Sequence, residues 1–205
     1  MSWIFRVAVF GGLVFGATGC EGQSPIVGAS EAAELSEEGP DLSTSDVGAP
    51  CLPTVEWNPD FAGYGGVGEV NIDLDTPSCR SKVCVVHDFQ GRVSCPYGQA
   101  EPNTDCFLPG LAASVNVPVE PQLFHRPPEV ASICSCRCDG PGPGPFCSCP
   151  DGMECVHLVD DLGLGSRQET GSYCLYEGST VAAGAEPGPV CEQGTEHDCG
   201  SARPY

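Results

Sequence analysis

The sequence predicts a small, disulfide-rich, mainly β fold with one short helix, flanked by a disordered acidic tether and a loop-like C-terminal tail. Three observations carry this prediction. The 205-residue chain holds 15 cysteines, fourteen of them from Cys51 onward. It also holds 27 Gly and 20 Pro against only 7% aromatics, so turns are plentiful and large core side chains scarce. A core that thin needs cross-links, each bridge typically contributing about 2–4 kcal/mol. The apolar runs, finally, are short and mostly alternate with period two.

Residues 69–75 alternate strictly, with Val70, Ile72 and Leu74 on one face and Glu69, Asn71, Asp73 and Asp75 on the other. Residues 82–87 and 92–95 read as two arms of a hairpin around a glycine-ended turn at 88–91. Residues 113–119 and 130–136 are further short strands, separated by Pro121, Pro127 and Pro128, and 173–176 is another. The helix is expected over 153–162, where Met153, Val156, Val159 and Leu162 share a face and Gly163 and Gly165 supply a stop.

The chain divides into a signal-like segment (1–19), a linker (20–50), a cysteine-rich module (51–180) and a Gly/Pro-rich tail (181–205). The module has the length of one domain, or of two small subdomains meeting near 118–128. Residues 21–50 contain seven acids, no base and no aromatic, too little apolar surface to offset the entropy of ordering. As a flexible coil, thirty such residues would reach about 30 Å.

At the N-terminus, Arg6 precedes a ten-residue apolar stretch from Val7 to Gly16, too short for a permanent span and ordered like a secretory signal. The sequence that follows, Ala17-Thr18-Gly19-Cys20, resembles the lipobox of bacterial lipoproteins. That resemblance implies lipidation of the Cys20 thiol, cleavage just before it and a partner in the membrane, reached through an N-terminal lipid anchor. It places the chain in the bacterial cell envelope, extracytoplasmic. The alternative is an ordinary signal cut near the same small residues, with Cys20 a structural cysteine.

Cysteine parity points the same way. An odd count in an exported chain leaves one thiol without a partner, and assigning Cys20 to lipid leaves fourteen. Cys51, Cys79, Cys84, Cys95, Cys106, Cys134, Cys136, Cys138, Cys147, Cys149, Cys155, Cys174, Cys191 and Cys199 then form seven disulfides, with about 10⁵ pairings open. In the stretch CSCRCDGPGPGPFCSC, Cys134, Cys136 and Cys138 share one extended face and Cys147 and Cys149 another. A hairpin would bring the two sets together. Close cysteines also suit Zn²⁺ or Cu(I), but the chain has no C-x-x-C pair and export disfavours free thiols. Cys191 and Cys199 either bridge each other or pin the tail to the module.

A net charge of −20 disfavours binding to nucleic acid or anionic lipid. Glu69, Asn71, Asp73 and Asp75 offer oxygen ligands for Ca²⁺, against the simpler reading of a solvated strand face. His157, Asp161 and Ser166 suggest a hydrolytic triad, but no G-x-S-x-G or H-E-x-x-H accompanies them. Arg80, Lys82 and Arg92 could form a patch for an acidic partner. No cofactor and no catalytic residue is implied. The function expected is structural or interactive, with a protein or envelope partner. The alternative is a hydrolase built on His87 or His157.

Overall fold

β-Branched residues and cysteines pair into two three-stranded antiparallel sheets in the computed structural model, which describes residues 46–141, 144–163, 169–182 and 184–200. The segments, in order, are a 3₁₀ turn (Thr54–Trp57), β1 (Tyr64–Asp73), β2 (Val83–Gly91), α1 (Pro128–Ala131), β3 (Ser132–Ser135), β4 (Arg137–Asp139), β5 (Met153–Val159) and β6 (Gly171–Tyr176). The first sheet has the order β1-β2-β3 and the second β4-β6-β5. The fold is therefore mainly β and disulfide-rich with one short helix. Cys20 and most of the expected tether lie outside the described residues.

The expected hairpin over 82–95 is not formed. β2 runs straight through the supposed turn and is buried along nearly its whole length. A central strand covered on both faces loses the polar alternation that a one-sided strand shows. Cys84, Val86 and Phe89 pack with Leu52 and Tyr64 in one core, while Val85 faces Ile133, Tyr173 and Leu175 in another that joins the two sheets. Phe89 can join the face of Val86 because Asp88 takes φ 50° and the β1/β2 register shifts between Gly66 and Val70. Such a bulge turns the following side chains over. Its carboxylate holds the bulge, accepting from Gly68 N at 2.7 Å and Val181 N at 3.1 Å. β2 ends at Gly91, where φ is +76° and an added Cβ would lie 2.2 Å from the Glu120 carbonyl oxygen, so only glycine fits.

The expected helix over 153–162 is strand β5 instead. It pairs with β6 in the register Met153↔Tyr176 to Val156↔Tyr173. A ten-residue helix is marginal in water without a packed face. Here Val156 and Leu158, two residues apart, pack on the inter-sheet core, whereas Leu162 is 76% exposed. The α-helical turn among the described residues falls at α1, after Pro127, and the strand expected over 130–136 shortens to β3.

Residues 113–119 are not a strand either, forming only the bridges Phe107↔Ser114 and Gln99↔Val119. The buried Gln99 amide replaces a strand partner. Its Nε2 donates to the carbonyls of Val115 (2.9 Å) and Val117 (2.7 Å), and its Oε1 accepts from Cys106 N at 3.0 Å. Around it, Cys95, Cys106, Leu108, Val115 and Val119 form a third small core.

The linker boundary at residue 50 also moves. Gly48 N donates to the Cys134 carbonyl at 2.8 Å and Cys134 N to Ala49 O at 2.7 Å, so the chain from Asp46 is already part of the module. The inter-sheet core, shared by Val85, Ile133, Tyr173 and Leu175, leaves no subdomain break at 118–128. The passage from first to second sheet falls at Cys136, between β3 and β4.

Seven disulfides tie these pieces. Cys51–Cys84 and Cys79–Cys134 staple the first sheet. Cys136–Cys147, Cys138–Cys155 and Cys149–Cys174 staple the second. Cys95–Cys106 closes the Gln99 loop, and Cys191–Cys199 closes a loop in the tail. The tail is also docked, with Cys191 N donating to Gln122 O at 2.8 Å. Of the five cysteines in 134–149, only Cys136 and Cys147 bridge the two arms.

Candidate functional site

β1 and the chain before it wall a cavity of about 440 Å³. Pro53, Thr54 and Val55 form one side, Phe61, Tyr64, Ile72 and Val86 an apolar wall, and Glu69, Asn71, Asp73, Asp75 and Glu169 supply polar groups. The four residues expected on the polar face of the strand thus meet in one place. Glu69, Asn71 and Asp73 are half-buried rather than freely solvated, and Asp75 is exposed.

Local hydrogen bonds fix these carboxylates. Thr54 N donates to Asp73 Oδ2 at 2.6 Å and Asp75 N to Asp73 Oδ1 at 3.0 Å, fastening the 3₁₀ turn to the end of β1. Asn71 Nδ2 donates to Glu69 Oε1 at 2.6 Å, and Gly65 N donates to Glu69 Oε2. Tyr64 packs edge-on to Phe61 (centroids 5.0 Å apart) and to Phe89 (6.1 Å). Burial, then the charges of Glu56, Asp73 and Glu69, push its phenol far above the usual tyrosine range, so it stays protonated.

Among the described residues, the groups of three ligand atoms within 4.8 Å of one another are all cysteine sulfurs: Cys51/Cys79/Cys134, Cys136/Cys147/Cys174 and Cys138/Cys149/Cys155. Every one of those sulfurs is in a disulfide, so they mark bridges packed side by side and present no thiolate.

The imagined triad is not assembled by the described residues. His157 Nε2 lies 2.8 Å from Asp160, not Asp161, on an exposed stretch, and Ser166 lies outside the described residues. His87 is 1% exposed, with Arg126 Nη2 3.2 Å from its Nδ1 and donating to its own carbonyl at 3.0 Å. Burial first, then the Arg126 guanidinium, lower its pKa, with Asp88 and the Val130 carbonyl opposing. Arg126 also donates to Asp88 O and Ser179 O, so this cluster ties the bulge to two loops. Neither His87 nor His157 lines the cavity.

The expected basic patch loses Arg92, which is fully buried against Glu56, with Nε 3.3 Å from Oε2. Arg92 Nη1 donates to the carbonyls of Asn58 (3.2 Å) and Phe61 (2.8 Å). Glu56 accepts from Val93 N at 2.8 Å and Ser94 Oγ at 2.7 Å. Burial raises the Glu56 pKa while Arg92, Ser94 and Val93 pull it back. Glu56, Tyr64, Gln99 and Arg126 were all missed by sequence reasoning, because no spacing marks partners that lie elsewhere in the chain, from 16 positions away for Gln99/Val115 to 39 for Arg126/His87.

No protein-family model, no curated protein and no solved structure matches this chain.

Proposed function

We propose that this protein is an exported, membrane-anchored lipoprotein of the bacterial cell envelope, lipidated at Cys20, whose disulfide-stapled module binds a ligand or partner at the β1 cavity. The observation that carries the reading is the cysteine arithmetic. The fourteen cysteines from Cys51 to Cys199 pair among themselves, leaving Cys20 of the fifteen for another fate. Seven bridges are compatible with an oxidising compartment and not with a reducing cytosol. The lipobox-like end of the signal supplies that fate, and the acidic linker supplies reach.

The cavity gives the module its place of action. It is of ligand-binding size, combining an apolar wall with a few convergent polar groups. The test is the intact mass of membrane-extracted, non-reduced protein. A chain starting at Cys20, with acyl mass and no reactive thiol, is expected. A full-length, unlipidated chain with free thiols overturns the reading.

A further inference from the structure

We propose that the β1 cavity takes an organic cation, a protonated amine or guanidinium carried on an apolar body. This rests on the binding-module reading above and names the chemistry of its ligand. Acidic residues alone would make only a solvated face; here they rim an apolar recess of about 440 Å³ whose wall includes Phe61, Tyr64 and Ile72. Among its lining residues are the acids Glu69, Asp73, Asp75 and Glu169 and no Lys, Arg or His. A neutral ligand would leave those charges uncompensated and an anion would be repelled, whereas a cation meets carboxylates while the apolar wall takes the body that carries it.

A second observation is independent of the charges. Tyr64 is 6% exposed, lines the cavity and makes no hydrogen bond through its phenol among the described residues. Its phenol oxygen is open to accept from an N–H donor of a ligand in the cavity. The carboxylates are also held in place beforehand. Asp73 is pinned by two backbone N–H groups and Glu69 by Gly65 N and Asn71. Each oxygen keeps a further lone pair for a ligand, so little ordering is required on binding. The net charge of −20 draws cations towards the whole surface. Among the described residues the carboxylate oxygens do not converge into a set of three within 4.8 Å, which sets this apart from a divalent-metal site.

The test uses the oxidised full chain and three probes of nearly one shape: benzamidine, benzamide and benzoate. Benzamidine is expected to bind and to shift the amide signals of Tyr64, Asn71 and Ile72, at least about tenfold more tightly than benzamide, with no effect from benzoate. The double variant Asp75→Asn/Glu169→Gln, which alters two exposed carboxylates outside the fold's own hydrogen bonds, should weaken benzamidine about three- to tenfold. Tyr64→Phe, which keeps the ring, should weaken it by a similar factor. Equal binding of benzamide, no binding at roughly millimolar benzamidine, or displacement of benzamidine by an equal concentration of CaCl₂ would each overturn the proposal. A lipidated, fully bridged chain that ignores benzamidine sinks the cavity's assignment and leaves the anchor standing. An unlipidated chain that binds benzamidine does the reverse.

Discussion

In the first sheet, Cys51, Cys79, Cys84 and Cys134 are no more than 2% exposed and sit inside a core with Leu52, Val86 and Phe89. In the second, Cys136 and Cys174 are buried as well, but Cys138, Cys147 and Cys149 are half-buried and Cys155 is exposed. The first sheet surrounds its bridges with apolar side chains, and the buried Glu56/Arg92 pair ties the 3₁₀ turn to the end of β2. The second is built of strands of three, six and seven residues, and three bridges reinforce the core that Met153, Tyr173 and Leu175 form. Cross-links and burial thus act together in both sheets, and what differs is how far the bridges themselves are covered.

The largest effect is expected where burial does the holding. Glu56→Gln keeps the shape but strands the Arg92 guanidinium in the interior, at a cost of about 3–5 kcal/mol, read as a lower denaturant midpoint. If the loss is under about 1 kcal/mol, the first sheet does not depend on this pair. Next is the Cys149→Ser/Cys174→Ser double variant, expected to lose about 2–5 kcal/mol and to raise amide exchange in β5 and β6 more than in β1 and β2. Uniform exchange across both sheets would erase the contrast.

A third measurement asks for order rather than size. Under limiting reductant, Cys138–Cys155 should open before Cys51–Cys84, because thiol–disulfide exchange needs access to sulfur. Mass mapping of alkylated cysteines reports the sequence, and the opposite order would contradict the burial argument. The smallest effect concerns pH. Burial and Arg126 hold the His87 imidazole below its ordinary value of 6.5, so the unfolded chain binds a proton at higher pH than the fold does. The His87 contribution is therefore present above about 6.5 and lost as pH falls below it towards the folded value. The melting temperature should drop through that window, and His87→Gln should flatten the slope. An unchanged slope in the variant would clear His87 of the role.

Several elements were legible in the chain itself. The strand at 173–176 and most of the one at 69–75 could be read from composition and alternation, and so could the even set of cysteines after Cys51. The central strand was harder. Asp88-Phe89-Gln90-Gly91 has turn-like residues, yet Asp88 sits opposite a bulge in β1, and the pairing of Phe89, Gln90 and Gly91 with Gly66, Gly65 and Tyr64 keeps the strand extended there, beyond the reach of β3. At 153–162 the helical spacing was real, but Val156 and Leu158 also fit a strand, and pairing with β6 decided between them.

The cavity was half legible. Glu69, Asn71, Asp73 and Asp75 stood out as a row of oxygen-bearing side chains. Nothing local showed that Tyr64, Phe61 and Glu169 would meet them, for Glu169 comes from a segment nearly a hundred positions later. Local pattern determines which residues alternate, which segments lack apolar surface and how many cysteines must pair, because each depends on neighbours in the chain. The tertiary structure alone decided which cysteines bridge, which strand is central, that Arg92 turns inward to Glu56 and that an acidic strand face becomes a cavity wall. Those outcomes depend on contacts between residues tens of positions apart, whose energies exist only once the sheets have packed.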